Sequence, residues 1–237
     1  MYNLGQYDAA ERAAEDASRD RATAQGARLV LGRIYLERYR RTGEEADLSS
    51  GREALMGIDA RLLDPRERLE LIVGAGEALY LEDRFGPAAE LFGSALDGAT
   101  LLEPAAYERL LDWWATAFDR LAQTRPRDAR EPLYRRVVER MEQEVARTPG
   151  STPAAYWLAA ASRGAGDIDR AWNAAIAGWA RAPLATDRGA ALRADLDRLV
   201  VQAIIPERAA RLNTRDTRQA IAGMVAEWES FKTSWSR

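Results

Sequence analysis

The chain has no cysteine and no histidine. Those two absences exclude disulfides, thiolate nucleophiles, zinc sites of the usual ligand types and imidazole acid–base catalysis. A Ser-His-Asp arrangement is equally impossible. The lack of cysteine is compatible with either side of a membrane and leaves the compartment open between cytoplasm and, after removal of a signal, periplasm. Lysine is almost absent too: Lys232 is the only one among 34 basic residues. That arginine excess reads as codon bias of a GC-rich, bacterial genome. No basic domain or stripe stands out and the net charge is −3, so a nucleic-acid partner is not expected. No apolar run reaches the roughly 18–20 residues of a membrane span, and no signal peptide is visible. No stretch alternates apolar and polar residues with period two, so no strand is expected.

What the sequence does contain is a pattern that occurs three times. Gly5, Tyr7, Ala10, Ala14 and Ala17 share their relative offsets with Asp83, Phe85, Ala88, Phe92 and Ala95, and again with Gly166, Ile168, Ala171, Ala175 and Gly178. A turn residue comes first, then a large apolar residue, then small or aromatic residues on one helix face. Such spacing fits the second helix of a helix-turn-helix repeat packed closely on the first. Because Gly5-Gln6-Tyr7 already reads as the turn between two helices, the first helix of that repeat is expected to precede Met1, where a targeting segment could also lie.

Periodicity and punctuation predict helices over residues 7–21, 27–41, 44–56, 64–81, 87–98, 103–123, 132–147, 154–163, 169–182, 186–204 and 215–235. Asp64-Pro65 and Glu103-Pro104 are helix starts, Gly43 a stop, and Pro206 an interruption. Asp167-x-Asp169 is read as a turn with an N-cap. Gly74-x-Gly76 lies inside a helical pattern and is read as close helix packing. Asp195-x-Asp197 points to different sides of a helix, which disfavours a shared metal or acid–base role.

These residues resemble the tetratricopeptide repeat family, whose pattern places a small pair and an aromatic in the first helix, then Ala, aromatic, Ala and a closing Pro. The unit with Ile72, Ala75, Gly76 and Leu79 followed by Ala88, Phe92 and Ala95 matches best. Leu31, Gly32 and Tyr35 match in the preceding unit, whose return helix is offset by about four residues. Leu158, Ala159, Ala171, Ala175, Gly178 and Pro183 form another unit, and Val137, Met141 and Pro149 a weak one. The resemblance implies an all-α, right-handed α-solenoid of antiparallel hairpins. Degenerate repeats would span residues 1–185, with a C-terminal hairpin and capping helix over 186–237, continuous with the array.

In that family the concave face, built from first helices, usually binds peptides or extended protein segments. The resemblance therefore implies a non-enzymatic scaffold or adaptor with a protein or peptide partner, no cofactor and no metal. The family register points Leu29, Arg33, Val73, Glu77, Tyr80, Tyr107, Trp114, Tyr156 and Arg163 toward the groove. The terminal-carboxylate clamp of some members is missing, because Asn3, Asn173 and Asn213 are the only asparagines and none lies in a complete first helix. Arg33, Arg38, Arg40 and Arg41 could attract an acidic ligand, but Glu37, Glu44 and Glu45 among them suggest a solvated face. Trp172 and Trp179, seven apart, are read as core between hairpins.

Two other readings stay open: a small-molecule binder or enzyme using the aromatic-rich C-terminal half, and a self-assembling accessory subunit. The stripe Ile221, Met224, Val225, Trp228, Phe231 and Trp235 is expected either to cap the helix of Leu192 and Val200 or to form a homodimer.

Overall fold

A computed structural model describes residues 7–212 and 216–235, and among these every regular element is helical. The α-helices are α1 (Tyr7–Ala17), α2 (Ala24–Thr42), α3 (Glu45–Met56), α4 (Pro65–Leu81), α5 (Phe85–Asp97), α6 (Pro104–Gln123), α7 (Glu131–Arg147), α8 (Thr152–Gly164), α9 (Ile168–Arg181), α10 (Ala190–Leu199), α11 (Ile205–Arg211) and α12 (Thr217–Trp235). Gly5, Asn3 and Asn213, and the start of the last helix near Arg215, lie outside the described residues. Chain neighbours pack as pairs: α1 with α2, α2 with α3, α4 with α5, α7 with α8, and α8 with α9. The chain divides into two units, Met1–Ala117 and Phe118–Arg237. That division follows contact density and falls inside α6, whereas the repeat register stops near residue 185.

The turn residue of the repeated pattern has a conformational reason. Asp83 and Gly166 both sit at positive φ, 58° and 84°. In both turns the next amide reaches back five residues: Arg84 N–H to Leu79 O and Asp167 N–H to Ser162 O, each 2.9 Å. This left-handed closure satisfies the last carbonyls of α4 and α8 and reverses the chain. The following positions then face the interior: Ala88, Phe92 and Ala95 in α5, and Ile168, Ala171 and Ala175 in α9, are all buried. Where helices cross most closely the sequence uses glycine. A Cβ on Gly76 would lie 2.7 Å from the Phe92 ring, and one on Gly32 would lie 2.8 Å from Leu55.

Caps follow the expected chemistry. Asp64 accepts from the Glu67 amide at 2.8 Å while the Glu67 carboxylate accepts from the Asp64 amide at 3.0 Å, a reciprocal cap with Pro65 in the first turn. Asp167 caps α9 through the Arg170 amide, and Gly74 and Gly76 are both buried within α4. The Asp195 and Asp197 carboxylates part as expected, one pairing with Arg198 and the other with Lys232.

Several boundaries differ from the sequence reading, and three of the differences have a clear local cause. Helix α1 ends at Ala17 rather than 21, because Thr23 Oγ1 donates to the Ala17 carbonyl and Asp20 accepts from the Ala22 amide, offering the backbone a turn instead. Helix α10 begins at Ala190 rather than 186. Asp187 accepts from the Gly189 and Ala191 amides and holds a turn with Arg188 and Gly189 at positive φ. Pro206 does not interrupt the chain. A π-helical segment, Val200–Ile204, joins α10 to α11, and the Ile205 amide bonds Val200 O five residues back. The widened turn places Pro206 at a helix start, where its missing N–H is tolerated.

In the second unit the core gathers Trp172, Trp179, Leu192, Leu196, Val200, Met224 and Trp228. Helix α12 therefore packs within its own chain: the Trp228 indole is 0% exposed and donates to Asp197 Oδ1 at 2.8 Å. With Met224 and Trp228 engaged this way, Trp235, 55% exposed, is the one apolar stripe residue left strongly open to solvent.

Candidate functional site

A cavity of about 230 Å³ opens in the first unit, lined by Arg40 of α2, Glu77, Tyr80 and Leu81 of α4, Phe92 of α5, and Asp112, Trp113 and Thr116 of α6. The two floor rings, Phe92 and Trp113, lie 6.0 Å apart at 45°. Tyr80 is held by an edge contact with Phe85 at 5.3 Å. Gly76 lets α5 approach α4, so the Phe92 ring reaches this position instead of being held off by a side chain.

Charge enters from three sides. The Arg40 guanidinium lies 5.4 Å above the Trp113 ring. Its ion pairs are long: 3.3 Å to Glu37 and 3.5 Å to Glu77. Glu77 is the more withdrawn partner, its side chain 14% exposed against 42% for Arg40. Burial raises the Glu77 carboxyl above its ordinary value and Glu37 adds to the rise, while Arg40 and Arg33 pull it back only in part. Asp112 adds a second carboxylate to the lining.

The residues singled out from sequence divide three ways. Glu77 and Tyr80 lie on this cavity's wall. Arg33 pairs with Glu70 at 2.9 Å, and Val73 is half-buried on the same helix as Glu77. Leu29, Tyr107 and Trp114 require correction as groove-facing positions, because all three are buried, at 2%, 9% and 3% exposed, and present little surface to a ligand. Leu29 belongs to the cluster of Leu36, Leu48, Leu55 and Ala78. Trp114 lies where a Cβ on Gly93 would stand 3.2 Å from its indole nitrogen. In the second unit, Arg163 makes a forked ion pair with Glu207 of α11, at 2.8 and 2.5 Å, so it ties two helices together. Tyr156 packs edge-on to Trp157 at 5.4 Å, beside the tryptophan core.

Sequence reasoning missed Arg40 and Trp113 as site residues. Adjacent helix positions point about 100° apart, so of Trp113 and Trp114 one faces the interior while the other does not. The structure buries Trp114 and leaves Trp113 on the cavity wall. The signal was in the aromatic pair itself, but the pair could not say which member was which. Arg40 was masked by its glutamate neighbours, which looked like a solvated face.

Chemically the site offers aromatic faces, two carboxylates and one guanidinium. Among the described residues no group of three or more metal-ligating side chains comes together, and no helix is long and apolar enough to cross a membrane. A volume below the roughly 300–1,000 Å³ of typical small-molecule sites suits a single side chain better than a cofactor. No family model matches the chain, and no curated protein matches it.

Proposed function

We propose that this protein is a tetratricopeptide-like, right-handed solenoid acting as a non-enzymatic interaction scaffold, and that it binds an extended protein segment along first-helix positions. The observation that carries this reading is the source of the cavity walls. Apart from Phe92 of α5, every lining residue comes from α2, α4 or α6, the helices the repeat register assigns as first in successive hairpins. A side-chain-sized recess on those helices is what a segment-binding groove needs to fix the register of its ligand. Aromatic and arginine side chains are also the usual anchors of interfaces.

The test is selection of random linear peptides, displayed on phage, against the folded full chain, with Tyr80→Ser as the counter-target. Enriched peptides that bind the wild-type chain and lose affinity for Tyr80→Ser support the reading. Failure to enrich any peptide, or enrichment of peptides indifferent to Tyr80 and Trp113 substitutions, overturns it.

A further inference from the structure

We infer that the cavity bounded by Glu77, Tyr80, Asp112 and Trp113 receives a basic side chain, an arginine in preference to a lysine, from the bound segment. This deepens the groove reading and rests on it. About 230 Å³ admits one side chain, and the walls decide which kind. Tyr80, Phe92 and Trp113 supply ring faces, whose negative quadrupoles attract cations. Trp113 already holds a cation this way, with the Arg40 guanidinium 5.4 Å above it. The ring chemistry at this spot is therefore demonstrated by the protein's own side chain.

Charge balance gives the second, independent argument. The lining sets one withdrawn carboxylate, Glu77, against one guanidinium, Arg40, with Asp112 at an exposed position on the wall. Arg40 is divided between Glu37 and Glu77, at 3.3 and 3.5 Å, both long for an ion pair. Being 42% exposed, it sits at the cavity's edge while Glu77 lies deeper. A buried carboxylate with a distant, shared partner is favoured by any further positive charge brought close to it. An acidic guest would face the opposite, the like charge of the withdrawn Glu77 carboxylate. An uncharged apolar guest would fill the rings but leave Glu77 further desolvated. Arginine is preferred over lysine because its planar guanidinium stacks on rings and forks onto carboxylates together.

Arg40 then acts as a placeholder. It occupies the Trp113 face when no guest is present and must yield that face to an incoming cation. Removing it should therefore strengthen basic ligands, although it also removes a potential contact.

The experiment uses the peptides enriched by the display selection, resynthesised with each arginine replaced singly by citrulline, its neutral isostere, and titrated by calorimetry against the full chain. One citrulline position is expected to weaken binding by about tenfold or more. Glu77→Gln should weaken the parent peptide similarly and remove its preference over the citrulline form. Arg40→Gln should tighten the parent peptide by about three- to tenfold. Because Arg40 sits at the cavity's edge, 42% exposed, this variant tests the idea even if a wall substitution disturbs folding. Peptides that bind and respond to Tyr80→Ser, yet lack a basic residue or tolerate citrulline everywhere, overturn the basic anchor and leave the groove reading standing. Arg40→Gln weakening the parent peptide would also overturn it, by marking Arg40 as a receptor for an acidic guest. If no peptide is enriched, the groove reading fails and this inference fails with it.

Discussion

Two places in the molecule use the same materials and finish them differently. In the first unit, Phe92 and Trp113 stand beside Arg40 and Glu77. In the second unit, Trp172, Trp179 and Trp228 stand beside Lys232 and Asp197. The second place is filled. Trp228 is fully buried, its ring 5.4 Å from Trp179 and 5.9 Å from Trp172. Lys232 is 2.6 Å from Asp197 and lies over both the Trp179 and Trp228 rings. Burial raises the Asp197 carboxyl, but hydrogen bonds from Lys232 and Trp228 outweigh it and leave the group below its ordinary value. At the first place the balance runs the other way. The ion pairs are longer, the carboxyl of Glu77 is raised, and open volume remains between the rings. A cation, a carboxylate and aromatic rings make a closed structural joint when the chain itself supplies the carboxylate's donors and fills the space between the rings, even though the Trp179 indole nitrogen stays buried there without a partner. They make a recess when the chain stops short.

The comparison can be broken most forcefully at its closed end. Trp228→Ala is expected to destabilise the second unit by about 3–5 kcal/mol, since it removes a large side chain from a full core and leaves the Asp197 carboxylate without its indole donor. Thermal unfolding followed by circular dichroism measures this. Light scattering alongside it should show no dimer for the wild-type chain to lose, because the residue is already engaged within its own chain. A melting temperature within a degree or so of wild type would show that α12 does not cap the core.

Gly76→Ala is expected to be next, at about 1–3 kcal/mol. Its new Cβ falls 2.7 Å from a Phe92 ring that has nowhere to retreat except the cavity. Denaturant melts give the magnitude, and a changed Trp113 indole shift by NMR would show that the recess has been reshaped as well. A neutral effect would mean that α4 and α5 can slide apart freely.

Asp197→Asn should cost about 1 kcal/mol, discounted for the 39% exposure of the Asp197 side chain. Its pH signature is the sharper readout. The folded carboxyl lies below its ordinary 3.8, so its contribution is present above that value and is lost as pH falls through the lower folded value. The Lys232 ammonium behaves in mirror image. Burial opposes its charge, but bonds to Asp197 and Glu229 raise it above 10.5, so its contribution is present below 10.5 and lost as pH rises through the higher folded value. The wild-type advantage over Asp197→Asn should fade at the acidic end.

Glu77→Gln carries the smallest expected effect and the opposite sign. The native carboxyl is raised above 4.5, so between 4.5 and its folded value the native state holds the proton more tightly than the unfolded chain, and stability falls as pH rises through that window. Glu77→Gln should melt slightly above wild type near neutral pH, with the difference closing as pH drops below 4.5. A variant less stable than wild type at neutral pH would show that Arg40 already compensates Glu77, and the two places would then be alike.

Much of this was legible along the chain. Helix needs only local periodicity, caps and breakers, so the elements and most of their ends could be placed from residues such as Asp64, Pro65, Glu103, Pro104 and Gly43. The repeated turn was legible because positive φ favours Gly and tolerates Asp, and both described copies, Asp83 and Gly166, adopt it. Close crossings were legible because only a missing Cβ permits them, as at Gly32 and Gly76.

Tertiary structure decided what depends on rotation and on partners distant in sequence. Whether Trp113 or Trp114 faces inward turns on a rotation of α6 that a string of letters cannot fix. That Leu29 is core and that Arg163 is tied to Glu207, 44 residues away, depends on which helices become neighbours. Pro206 could continue a helix only because a π turn shifted the hydrogen-bond register ahead of it. The recess itself has no sequence signature. It is the space left where Arg40, Glu77 and Trp113, from three separated helices, converge without touching closely enough to close it.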